Sequence, residues 1–162
     1  MIQILLCILM FAGSAFAQTD KDRLDLFKKE TATLRALVND AVNSSVPGRG
    51  IFEDAKATYL DGYGIVVSLE VALEPTRNPF SSPKSPGEVR ASVSERRKMV
   101  QTKLETLLKE RVGKMDSVDA AESVTIVLHL FNSNPADLPD LPSQVIFTAK
   151  KQDPTHISIR EF

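Results

Sequence analysis

An apolar stripe at helical spacing is the first regular pattern in the body of the chain, between Thr19 and Asn43. Its members are Leu24, Phe27, Leu34, Leu37, Val38, Ala41 and Val42. No Pro or Gly interrupts the stretch, so the spacing predicts a helix that ends before Pro47-Gly48-Arg49-Gly50. The stripe also nearly fits a heptad seam, with Thr31 at the missing position. Two interpretations follow: a helix that packs on its own sheet, or a short coiled coil with a partner.

Alternation replaces helical spacing over residues 51–73 and predicts a β-hairpin. The second arm places five apolar side chains on one face: Ile65, Val67, Leu69, Val71 and Leu73. The first arm, from about Asp54 to Leu60, is less regular. The link Asp61-Gly62-Tyr63-Gly64 predicts a tight turn, because glycine adopts positive φ at little cost. A phosphate-binding loop is disfavoured, since no third glycine follows and the next element is a strand.

A second helix is predicted to begin at Ser85-Pro86-Gly87-Glu88 and to run to about Met115. Serine at the N-cap, proline at the first helical position and glutamate three residues after the cap form a capping-box pattern. Its apolar stripe comprises Val89, Val93, Val100, Leu104, Leu107, Leu108 and Val112. The other face carries the i,i+4 pair Glu105 and Lys109. We interpret the basic run at residues 96–98 as part of a solvated helix face rather than a polyanion site.

Three further strands are predicted at about Glu122–Phe131, Gln144–Lys150 and His156–Glu161, with a turn at Asp153-Pro154 before the last one. The element order is therefore α-β-β-α-β-β-β. This order predicts an α+β two-layer sandwich: a mainly antiparallel sheet of four to five strands, covered on one face by two long helices. The strand order is left open, because the crossover from residue 73 to residue 122 contains a helix.

The opposite face of this sheet is expected to be comparatively polar. The alternation places eight side chains there: Ser68, Glu70, Thr125, His129, Thr148, Lys150, Ser158 and Arg160. A polar sheet face opposite the helices is the best surface that the sequence offers for binding.

The N-terminal residues have the pattern of a secretory signal peptide. Residues 2–12 are almost wholly apolar, and Ala15-Phe16-Ala17 resembles a cleavage site. The apolar run is shorter than the roughly 20 residues of a membrane span. We therefore expect a signal peptide at residues 1–17, no transmembrane anchor after cleavage, and one α+β domain at residues 18–162. The only cysteine, Cys7, lies within the signal, and we expect a periplasmic or extracellular location.

Composition excludes several classes of protein. The chain has 162 residues, 43% of them hydrophobic, with 20 Lys plus Arg against 21 Asp plus Glu. This is ordinary globular composition without the basic surplus of a nucleic-acid binder. A mature chain without cysteine cannot form a disulfide framework or a thiolate metal site.

Residues for catalysis or metal binding are sparse. The only histidines are His129 and His156, and no motif of a metal site or of a serine hydrolase accompanies them. We therefore predict no catalytic residue, no metal and no cofactor. For a small-ligand site we single out Tyr63, Glu70 and His129 on or beside the polar sheet face. The alternative for His129 is a partly exposed histidine that only fills a strand position, and the alternative for Tyr63 is a tyrosine that only packs against its neighbours.

Two Pro-rich loops, at residues 74–85 and 132–142, offer apolar side chains for a partner. Phe80 is central in the first loop, and Leu138 and Leu141 lie in the second. The leading hypothesis is an exported, non-enzymatic protein, from a bacterial periplasm, that binds another protein of the cell envelope. The alternatives are a small-ligand-binding domain that uses the polar sheet face and, ranked third, a hydrolase whose site is not recognisable, built on His129 and Glu70.

Overall fold

The computed structural model describes residues 2–46, 51–74, 84–133 and 135–162, with side chains described from residue 21 onward except at position 52. The elements are helix α1 at Ile2–Asn43, strands β1 at Ile51–Leu60 and β2 at Gly64–Ala72, helix α2 at Pro86–Arg111, a 3-10 turn at Val112–Lys114, and strands β3 at Ser123–Phe131, β4 at Gln144–Lys150 and β5 at Asp153–Glu161. The predicted order α-β-β-α-β-β-β is confirmed.

The five strands form one open sheet in the order β1-β2-β3-β4-β5. Strands β2 and β3 are parallel, and the other three neighbouring pairs are antiparallel. The parallel pair requires a crossover, and α2 supplies it. The strand order that the sequence left open is thus sequential, and the predicted α+β class with a mainly antiparallel sheet is confirmed.

Both helices pack on one face of the sheet, and the core lies between these two layers. The largest fully buried side chains come from all of these elements: Val38 and Val42 of α1, Ile65, Val67 and Val71 of β2, Val100, Leu104 and Leu108 of α2, Ile126 of β3 and Phe147 of β4. The three inner strands β2, β3 and β4 contribute alternate apolar residues, which is the period-2 pattern expected of a half-covered sheet.

The first helix packs on the chain's own sheet over most of its apolar stripe. Leu34, Val38 and Val42 are at most 2% exposed, and Phe27 also packs against the core. Leu24, nearer the N-terminus, is 50% exposed. The heptad-like spacing therefore reflects intramolecular packing from Phe27 onward. No helical stretch in the described part of the chain combines the length and hydropathy that a membrane crossing requires.

The predicted turn at Asp153-Pro154 is wrong. The turn lies at residues 151–152, and both Asp153 and Pro154 belong to β5. Proline lacks the N–H that a central strand donates, which argued against a strand here. Because β5 is an edge strand, that N–H is not needed on its outer side.

Helix α2 begins as predicted. Ser85 is the N-cap and its side chain accepts from the Glu88 N–H, while the Glu88 carboxylate accepts from the Ser85 N–H at 2.8 Å. The same backbone N–H and hydroxyl of Ser85 lower the pKa of Glu88. The basic run behind it is only partly solvated: Arg96 donates to the Leu73 carbonyl at 3.2 Å, and Arg97 forms an ion pair with Glu161.

Loss of the capping box should measurably weaken α2. We expect Ser85→Ala to lower the free energy of unfolding by about 1 kcal/mol, because the Glu88 N–H loses its acceptor and the Glu88 carboxylate loses the Ser85 hydroxyl. Ser94→Ala, at an exposed interior position of the same helix, is the matched control and should change stability little. Chemical denaturation of the three proteins checks this, and equal effects of the two substitutions would contradict it.

Candidate interaction face

The face of the sheet opposite the helices is uncovered by any described element. We call it the open face. The strand register places its side chains in rows across the sheet: Thr58, Val66, Thr125, Thr148 and Ser158 in one row, and Lys56, Ser68, Val127, Ile146 and Arg160 in the next. The eight polar residues predicted to share this face are all confirmed to lie on it.

The apolar side chains of the open face lie near its centre, among Ser68, Thr125 and Thr148. Val66, Val127 and Ile146 are half-buried and lie on three adjacent strands. Exposed charged side chains lie toward the rim, among them Lys150 and Arg160. Apolar side chains near the centre and a charged rim are the general anatomy of a protein-binding surface.

Tyr63 covers one end of this face. It lies in the tight turn between β1 and β2, where Gly62 and Gly64 have φ of 72° and 111°. The Tyr63 hydroxyl is 2.9 Å from Thr125 Oγ1, which is in turn 3.1 Å from Thr148 Oγ1. This chain of hydroxyls orients the ring, while the Tyr63 residue remains 43% exposed.

Glu70 and His129 are direct neighbours on adjacent strands, and Gln144 follows on the other side of His129. Neighbouring strands are about 4.8 Å apart, so the two side chains are close. Both are exposed, and within the described residues no hydrogen bond joins either side chain to another group. Both side chains are therefore presented to solvent on the open face.

Tyr63 and His129 lie apart on the open face. The Tyr63 hydroxyl lies over Thr125, four residues before His129 along β3, which is roughly 13 Å of strand. Among the cavities that described residues line are one between α2 and the sheet and one on α2, and neither is lined by Tyr63 or His129. One is an apolar crevice of about 10 Å³ between α2 and the sheet, which is room for about one water molecule.

Aromatic side chains mark the other end of the open face. Phe162 is 60% exposed, and its ring lies 6.0 Å from the Arg160 guanidinium carbon. The backbone of Phe162 pairs with Gln144, which places its ring in the row of His129. Phe131, one pleat further along β3, is 44% exposed. Exposed aromatic rings beside an arginine are frequent anchors in protein interfaces.

The loop residues named from the sequence have different surroundings. Leu138 is 6% exposed and belongs to the core, and Leu141 is half-buried against it. Neither side chain is therefore presented to a partner as the loop hypothesis required. The Asn132 side chain donates to the Leu138 carbonyl at 3.0 Å and holds the loop inward. Phe80 lies outside the described residues, as does most of its loop.

A buried carboxylate on the helix side was not anticipated. Glu122 is 4% exposed and accepts from the Tyr59 hydroxyl at 2.5 Å and from the Asp119 N–H at 2.9 Å. The hydrogen bond to Glu122, burial and the negative charge of Glu122 raise the pKa of Tyr59 to about 12. The sequence offered only a weak indication that Glu122 is buried, namely its position directly before an apolar strand.

The cluster around Glu122 connects α1 to the sheet, with Glu122 buried and the Arg23–Asp119 pair exposed. Arg23 of α1 pairs with Asp119 at 2.9 Å, and Phe27 packs edge-on against Tyr59 with ring centroids 5.4 Å apart. Every polar group in it has a partner within the cluster. We therefore assign it a structural role. No group of three or more metal-ligating side chains occurs here or elsewhere among the residues that the structure describes.

Comparison with known proteins adds no functional information. No protein-family model matches this chain, and neither a curated protein nor a solved structure is significantly similar to it. The geometry of the open face is consequently the basis for a functional proposal.

Proposed function

We propose that this chain is an exported protein-interaction module of the cell envelope, whose open face binds another exported protein. The observation that carries the proposal is a five-stranded sheet face that no described element covers, with apolar side chains near its centre, a charged rim and exposed aromatic rings at one end. Export rests on the signal-peptide pattern of residues 1–17.

The charges of the open face indicate the kind of surface that fits it. Lys56 is neutralised by its ion pair with Glu53 at 2.6 Å. Lys150 and Arg160 on β4 and β5 then outnumber Glu70 on β2. The complementary partner therefore presents apolar side chains to Val127 and Ile146 and acidic side chains to the β4–β5 side.

Site-specific photo-cross-linking in the native host tests this proposal. A photoreactive amino acid at position 68, in the centre of the open face, should give one discrete adduct with an exported protein. The same amino acid at position 106, exposed on the outer surface of α2, is the matched control and should give none. Both variants must first show the wild-type circular dichroism spectrum.

A charge reversal makes the test specific for the open face. Lys150→Glu should reduce the position-68 adduct severalfold, because it places like charges against an acidic partner surface. Equal adducts from positions 68 and 106, no adduct from position 68, or an adduct insensitive to Lys150→Glu would each contradict the proposal. An adduct between two copies of this chain would contradict the proposal that this face binds a different protein.

A further inference from the structure

The two edge strands of the sheet, β1 and β5, differ in how their outward backbone groups are bonded. At the β1 edge the backbone of Ala55 is occupied by α1: its N–H donates to Asn39 Oδ1 at 2.9 Å and its carbonyl accepts from Arg35 Nε at 2.6 Å. Register shifts lie on both sides of Glu53. Irregular pairing and side chains over the backbone are both means by which proteins prevent strand addition. The β1 edge is therefore blocked at Ala55 and irregular around Glu53.

The β5 edge is open. Phe162 and Gln144 exchange both backbone hydrogen bonds, at 3.0 and 3.3 Å. In an antiparallel ladder such pairs alternate along the strand. Arg160 and Ser158 therefore also bond to β4, while Ile157 and Ile159 direct their N–H and carbonyl groups outward. Within the described residues, no protein group bonds these outward positions.

The side chains of this edge are also suited to pairing. Ile157 and Ile159 are half-buried on the helix side of the sheet, where they pack against the core. They are the last apolar side chains of the core layer at this edge of the sheet. The pairing of β4 with β5 is irregular between Asp153 and Ile157, so the regular edge runs from Ile157 to Phe162. Its unpaired backbone groups and apolar side chains are a template for another strand.

We propose that β5 pairs antiparallel with β5 of a second copy of this chain, across a twofold axis at Ser158. In this register each Ile157 lies opposite Ile159 of the other copy and exchanges both backbone hydrogen bonds with it. Ser158 lies opposite its own symmetry mate. The two sheets then form one continuous sheet, joined by an isologous interface.

The neighbouring antiparallel registers that use the same outward groups are less favourable. A shift toward the strand start opposes Ile159 to Thr155, which lies in the irregular part of β5. A shift toward the strand end opposes Ile157 to Glu161, which places a carboxylate in the apolar row. The Ser158 register alone joins the isoleucines without either cost. The occupant with matching chemistry is thus a second β5.

Disulfide trapping tests both the dimer and its register. Directly opposed residues of a non-hydrogen-bonded antiparallel pair have Cα atoms about 4.5 Å apart, within the disulfide range of roughly 4.4–6.8 Å. In the full chain carrying Cys7→Ser, Ser158→Cys should form a covalent dimer under mild oxidation. Ser94→Cys, exposed on α2, is the matched control and should stay monomeric on a non-reducing gel.

The second measurement is the mass of the untrapped protein in solution. Light scattering over a concentration series should show a dimer, and Ser158→Lys should raise its dissociation constant about tenfold or more, because two lysines then face each other at the axis. The Ser158 side chain is exposed, so the fold should persist by circular dichroism. A monomer throughout, a dimer insensitive to Ser158→Lys, or equal trapping of Ser94→Cys would overturn the proposal.

Discussion

Gly64→Ala should be among the most damaging single substitutions in this protein, with a loss of about 3–5 kcal/mol in the free energy of unfolding. Gly64 has φ of 111°, a backbone conformation that other residues rarely adopt. A Cβ at this position would lie 2.1 Å from the Ser123 carbonyl oxygen. Gly64 and Ser123 are the first pair of the parallel β2–β3 ladder. Relief of the clash therefore requires the two central strands to separate.

Gly62→Ala is the matched control, two residues earlier in the same turn. Gly62 has φ of 72°, and a Cβ there would meet no atom within 4 Å. Its cost is then only that of the left-handed conformation, about 1–2 kcal/mol. Urea denaturation of both variants checks the prediction. Equal losses would show that the contact with Ser123 is not what requires glycine at position 64.

Tyr59→Phe should lower the free energy of unfolding by about 1.5–3 kcal/mol, because the buried carboxylate of Glu122 loses a hydroxyl donor. The contact is 2.5 Å, and Glu122 is 4% exposed. Tyr63→Phe is the matched control, as Tyr63 is the only other tyrosine and its hydroxyl bonds a neutral threonine. We expect that substitution to cost about 1 kcal/mol or less.

The same contact makes the free energy of unfolding depend on pH above pH 10. The pKa of Tyr59 is raised from 10.0 to about 12 in the folded protein, so the unfolded chain loses this proton first. The contribution of Tyr59 to stability is thus complete below pH 10 and is lost as pH rises toward 12. The free energy of unfolding should fall less steeply over this interval in Tyr59→Phe than in Tyr63→Phe. Identical slopes would contradict the assigned hydrogen bond.

Much of the secondary structure was predictable because its causes are local. The capping box of Ser85 and Glu88 depends on residues three apart, and alternation along β2 directly reports which side chains face the core. The turn at residues 61–64 needed only glycine at positions of positive φ. Where the prediction was wrong, at Pro154, the missing information was that β5 has no neighbour on its outer side.

The candidate site was predictable only in part. Alternation placed Glu70 and His129 on the polar face, but their adjacency depends on the parallel register of β2 and β3. Leu138 was expected at the surface because its loop contains prolines, whereas the structure buries it. The Tyr59 and Glu122 contact joins residues 63 positions apart, and no local pattern reports such a pair.

By itself, the sequence determined the α+β class, the order of the elements and the face that each strand turns to the core, because dihedral preferences and hydrophobic period act over a few neighbouring residues. Only the tertiary structure decided the sequential strand order, the parallel central pair, the burial of Glu122 and which sheet edge stays open. These features depend on contacts between distant segments, and their energies arise only once the helices and strands have assembled.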